Sequence, residues 1–112
     1  MNKIPQRLQP YKSYFKVKSK LGIQVSTTIG YWDVITKIKH LTIKGREQEV
    51  KQALCEPDEI RISKKDKTVL LFYKMFDQRY LSVVVRFFKK RGFIVTAYWT
   101  KKIKEGKLKW KK

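Results

Sequence analysis

One histidine, His40, stands in a chain otherwise rich in lysine and arginine. Imidazole is the only side chain whose ordinary pKa lies near neutrality, so His40 is the natural general acid or base. It also closes a helical stretch just before LTIKGRE, where a histidine suits the helix dipole without any catalytic role. A second group of useful residues sits in strand-like segments. In GFIVTAYW (92–99), Thr96 and Tyr98 are two apart, so strand periodicity turns both hydroxyls to one face. The same alternation sets Arg61 and Ser63 opposite Ile60 and Ile62, and Arg86 opposite Val83 and Val85. Two guanidiniums and three hydroxyls on one sheet face suit a phosphodiester, since arginine forks grip phosphate and hydroxyls orient it or a ribose. The plainer reading is the wet side of a half-buried sheet, where such alternation is ordinary.

Other chemistries lack their residues. One histidine and one cysteine, Cys55, do not make a zinc site, and a single thiol forms no intramolecular disulfide. Cys55 itself reads as a small buried apolar residue of a helix. No glycine-rich nucleotide loop and no glycine-flanked serine nucleophile occurs. The nine carboxylates show no D-x-D or D-x-E pair, which weighs against a metal-dependent nuclease. What survives is cofactor-free, metal-free chemistry on RNA, whose own 2′-OH supplies the nucleophile.

The charge points to the same partner. Twenty-eight Lys and Arg against nine Asp and Glu leave a formal +19 over 112 residues. Such a field attracts polyanions, nucleic acid first and an anionic membrane surface second. No apolar run is long enough for a membrane span, and MNKIPQRLQPYKSYF lacks a signal peptide's apolar core, so the expectation is a cytoplasmic protein. Five of the nine acids fall between 47 and 59, so the positive field is uneven.

The elements that must position these residues follow from periodicity. Residues 1–20 carry six basic and no acidic side chains, with Pro5 and Pro10, and read as a basic arm before a single domain at 21–112. Within 14–27 the alternation allows two short strands turning near 20–22. Trp32, Ile35 and Ile38 predict one apolar face for a helix over 30–40. A second helix starts at Gly45, carries Val50 and Leu54 inward, and ends at Pro57. In it Arg46 contacts phosphate or pairs with a nearby acid, the pairing being favoured. Four β-rich runs follow at 59–63, 68–74, 80–88 and 92–99, joined by hairpin-length breaks. In the last run Phe93, Val95, Ala97 and Trp99 are expected to face the helices. A short helix over 100–105, stopped by Gly106, closes the pattern. The expected fold is α+β, with N-terminal strands and helices on one face of a four-stranded antiparallel sheet.

Several segments together carry a family resemblance: HLTIKGRE (40–47), PDEIRIS (57–63), LFYK (71–74), YLSVVVR (80–86) and GFIVTAYWTKKIKEG (92–106). Over about 30–110 the chain resembles the small prokaryotic and phage-associated nuclease-like proteins grouped with barnase, EndoU, the tRNA-cutting colicins and RelE toxins. The resemblance implies helices followed by a four-stranded antiparallel sheet. It also implies a metal-independent ribonuclease, the toxin of a toxin–antitoxin pair with an acidic antitoxin as partner. Its motifs match His40 before the GRE helix, Arg61 and Ser63 in an I-R-x-S strand, and Thr96 and Tyr98 in T-A-Y. Together with Arg86 from the same sheet face, the expected roles are His40 as general acid or base, Arg61 and Arg86 at the phosphate's developing charge, and Ser63, Thr96 and Tyr98 at phosphate or ribose. Lys89, Lys90, Arg91, Lys101, Lys102 and Lys104 become an RNA-backbone rim. A non-catalytic RNA- or DNA-binding module is the rival, since Tyr98 and Phe88 among lysines also suit stacking and phosphate tracking.

Overall fold

A computed structural model describes residues 10–103 and 105–112. Its centre is one seven-stranded sheet: β1 (Ser13–Lys18), β2 (Gln24–Thr28), β3 (Glu59–Ile62), β4 (Val69–Phe76), β5 (Arg79–Phe88), β6 (Arg91–Thr100) and β7 (Lys107–Lys111). The spatial order is β1-β2-β6-β5-β4-β3-β7. All neighbours are antiparallel except β2 and β6, which run parallel through Gln24–Arg91, Val25–Gly92 and Ser26–Phe93. This replaces the expected α+β arrangement. The sheet is mixed and seven-stranded, strand content dominates, and β1 and β2 extend the sheet instead of packing on it.

The expected C-terminal helix is also corrected. Thr100 still belongs to β6, and the chain re-enters the sheet at Lys107 beside Ile62 of β3. KLKWK reads poorly as a strand because lysines fill every second position. On an edge strand that is favourable, since charge there discourages further pairing.

Two helical segments lie between β2 and β3. The first begins as α1 (Ile29–Val34), capped by the Thr28 hydroxyl accepting from the Tyr31 amide at 3.1 Å. It continues as a π-helical turn, Ile35–Lys39, closed by the His40 amide donating to the Ile35 carbonyl at 2.8 Å. The wider turn breaks the expected apolar stripe. Trp32 and Ile35 are buried, but Ile38 is 76% exposed and Thr36 is buried in its neighbourhood. After a 3₁₀ turn at Leu41–Ile43, α2 (Glu47–Cys55) buries Val50, Ala53 and Leu54. Glu47 and Glu49 favour its N-terminal dipole, and Arg46 pairs with Glu49 at 2.9 Å. Cys55 is only half-buried, its thiol 3.4 Å from the Lys18 carbonyl.

The helices cover one sheet face, on which Ile60, Phe72, Val83 and Ala97 form a cross-strand row, each side chain essentially removed from water. Burial of such side chains contributes about 1.5–3 kcal/mol each, so this row with Val50, Leu54 and Ile35 anchors the fold. Trp99 and Trp110 pack partly buried against the same core.

The opposite face is not simply wet. Leu71 and Tyr73, 2% and 1% exposed, point away from the helical core yet are buried, as is Ser82. In the connection between β6 and β7, Glu105 lies within electrostatic reach of the Tyr73 hydroxyl. Because β7 lies beyond β3, this connection has to pass β5, β4 and β3. Gly106 settles on Arg61, whose guanidinium donates to the Gly106 carbonyl at 3.1 Å.

Candidate functional site

β6 supplies the site its geometry through one extra residue. The pairing of β5 with β6 slips between Val84–Thr96 and Val85–Ile94, leaving Val95 as a bulge. Below the bulge the faces are inverted relative to strict alternation. Ile94 is buried in the core, and Phe93, expected inside, is 49% exposed beside Arg86. Above it, Thr96 and Tyr98 share the open face with Arg61 and Arg86, as the cross-strand partners Val84, Ser82 and Leu71 require.

The bulge also holds the helical segment in place. Beyond Ser26–Phe93, β2 turns into α1 and leaves β6 as a local edge. The Val95 carbonyl accepts from the Tyr31 hydroxyl at 2.9 Å and from Lys39 Nζ at 3.2 Å, while Lys39 Nζ also reaches the Tyr31 oxygen at 2.9 Å. A few residues on, the Trp99 indole donates to the Thr42 carbonyl at 3.4 Å. Between these two anchors lies His40, its ring centroid 5.7 Å from that of Tyr98 and tilted by 36°. Its backbone is satisfied on both sides, by Ile35 and Ile43. Among the described residues neither imidazole nitrogen is engaged by a hydrogen bond, so both remain for a ligand or water.

Comparison with known protein families, curated proteins and solved structures finds no match. The site therefore rests on its own chemistry.

Tyr98 leads inward to a second phenol. Tyr73, opposite Ser82 in β5 and Glu59 in β3, has its pKa raised, chiefly by burial and then by the neighbouring Tyr98 and Glu105. Tyr80 meets the Tyr73 ring edge-on at 6.4 Å. The hydroxyl oxygens of Ser82 and Thr96 are buried without a hydrogen-bond partner among the described residues.

The remaining expected residues separate into distinct roles. Arg61 is committed to the frame, bonded to Glu59 at 2.7 Å and to the Gly106 carbonyl. Ser63 accepts from the Lys65 amide at 3.2 Å in the turn after β3. Arg86 is exposed and shares a 3.3 Å ion pair with Asp66, a contact of small worth that a phosphate can displace. Arg86 lies four positions along β5 from Ser82, the partner of Tyr98, roughly 13 Å along a strand. Arg86 thus stands apart from the His40–Tyr98 pair. Lys89, Lys90 and Arg91 are exposed at the β5–β6 turn, with Lys89 in a left-handed conformation over the Phe88 ring. Lys101 and Lys102 are exposed at the opposite end of β6, and Lys104 lies outside the described residues. The expected rim is thus two cationic clusters about 30 Å apart along one strand, with His40, Tyr98 and Lys39 between them.

Tyr31, Lys39 and Tyr73 escaped the sequence reading. Lys39 had a signal, its place immediately before His40; Tyr31 and Tyr73 are identified only through contacts across the fold. No cluster of three or more His, Cys, Asp or Glu suited to a metal occurs among the described residues. No described helix is long and apolar enough to cross a membrane.

Proposed function

We propose that the protein is a metal-independent endoribonuclease that tracks single-stranded RNA along β6 and cleaves it beside His40 and Tyr98. The observation that carries this reading is the His40 imidazole, free at both nitrogens among the described residues, packed against the Tyr98 phenol between two cationic clusters. His40 takes the proton of the 2′-OH, whose oxygen attacks the adjacent phosphorus. The bond from phosphorus to the 5′-oxygen breaks, and that oxygen leaves with a proton from Tyr98 or from protonated His40. The products are a 2′,3′-cyclic phosphate and a 5′-hydroxyl. Lys39, the residue before His40 and anchored at the Val95 carbonyl, offsets charge developing on the phosphate, and Arg86 holds the chain one step away. An acidic antitoxin protein, in the cytoplasm, is the partner such a toxin requires, and the +19 charge favours one.

Incubation with total tRNA and a structured mRNA in EDTA tests the reading. His40→Ala is expected to lower cleavage by about 10²–10⁴-fold, the usual worth of a general acid–base group, with RNA affinity retained. Tyr98→Phe, which keeps the ring contact, separates proton donation from packing. RNA left intact by the wild-type chain, yet shifted equally by wild type and His40→Ala, rejects the enzyme. That result favours the non-catalytic binding module, for which exposed Phe88 beneath Lys89 is the supporting observation.

A further inference from the structure

Where β2 and β6 part, a cavity of about 310 Å³ opens between Ser26, Thr28, Tyr31, Arg86, Phe93 and Val95. It lies at the small end of the roughly 300–1,000 Å³ range of ligand sites, room for one nucleotide and little more. Its walls are chiefly apolar, and its composition is specific. Phe93 is a half-exposed aromatic ring, turned outward by the bulge at Val95. Arg86 is the cross-strand partner of Phe93 and lines the same cavity, its guanidinium held at 3.3 Å by Asp66 in an exposed ion pair that a phosphate can replace. On the far wall, the Thr28 oxygen accepts from the Tyr31 amide, which leaves its O–H free to donate, and Ser26 adds a second hydroxyl. The Tyr31 phenol and Lys39 join the cavity to the residue next to His40.

We infer that this cavity is a nucleobase subsite: Phe93 stacks one base of a single strand, Arg86 holds its phosphate, and Ser26 and Thr28 meet the base edge. The subsite rests on the nucleic-acid reading of β6 but not on cleavage. A ring beside a guanidinium is the pairing single-strand binders use, the ring for the sequence-tolerant π-face and the cation for the backbone. The Coulomb field of the chain supplies the matching sign. An apolar ligand makes no use of Arg86, and a duplex cannot place an unstacked base in a cavity of this size.

The test measures binding of a single-stranded DNA octamer, which has no 2′-OH and so stays intact whatever the fate of the enzyme reading. Wild type, Phe93→Ala and Phe93→Trp are compared at ~0.5 M salt, where phosphate attraction is largely screened. Phe93→Ala is expected to weaken binding roughly five- to a hundredfold, the worth of one base stack, while Phe93→Trp retains it. The added tryptophan is also expected to be quenched by the octamer beyond the wild-type signal. Equal affinity for all three proteins overturns the subsite, as does an equal loss in Phe93→Ala and Phe93→Trp. Intact RNA in the EDTA experiment together with a Phe93-dependent affinity rejects cleavage and keeps the subsite.

Discussion

His40 and Tyr73 lie on either side of Tyr98, one half-buried and the other sealed. His40 is half-buried at the end of the π-helical turn, with its ring against Tyr98. Tyr73 is sealed, and its raised pKa means the folded protein keeps it protonated when the unfolded chain, titrating near 10, does not. The unfolded state then binds fewer protons, so stability falls as pH rises. Unfolding midpoints in urea are therefore expected to be insensitive to this group below about pH 9. From about pH 10 stability falls by up to about 1.4 kcal/mol per pH unit. Tyr73→Phe should flatten that alkaline loss, and an unchanged slope in the variant would assign it to another residue.

At the scale of elements, the β6–β7 connection depends on Gly106. Its φ of +92° lies in the left-handed region, and a Cβ there would come within 2.8 Å of both the Arg61 Cβ and the Ile62 carbonyl oxygen. Gly45, at φ +80°, has the same backbone strain but open space. Gly106→Ala is thus expected to cost about 1–3 kcal/mol, a Tm drop on the order of 5–20 °C. Gly45→Ala should lose only the strain component. Calorimetry on the two variants checks this, and equal losses would mean that the close approach to β3 is unimportant. The Arg61–Glu59 pair belongs to the same device, because Arg61 clamps the Gly106 carbonyl. This is why Arg61, legible in the sequence as a phosphate ligand, is placed by the fold in a structural ion pair.

For the whole molecule the relevant quantity is the distribution of charge along β6. Lys39, Arg86, Lys89, Lys90, Arg91 and Lys101 border the proposed RNA path. With six phosphates neutralised, log K against log salt should fall with a slope of about −4 for a single strand. Titrations by fluorescence anisotropy between low and moderate salt measure it. Charge reversal of Lys89 and Lys90 together should make the slope shallower by about 1.4. A slope near zero would remove the polyanion reading altogether.

Periodicity alone placed the strands at 59–62, 69–76, 79–88 and 91–100 to within a residue or two, because alternation is a property of each segment by itself. It also set Arg61, Ser63, Arg86, Thr96 and Tyr98 on one side, and composition alone determined the charge. Tertiary structure decided what no segment carries on its own. The Val95 bulge exists only through pairing with β5, so the outward turn of Phe93 was not legible in GFIVTAYW. The parallel contact of β2 with β6 joins residues more than sixty positions apart, and β7 is a strand because β3 offers it an edge. His40 meets Tyr98 for the same reason. The π-helical turn, the bulge carbonyl and the end of β2 bring them together, and a one-dimensional pattern holds no information on such distances.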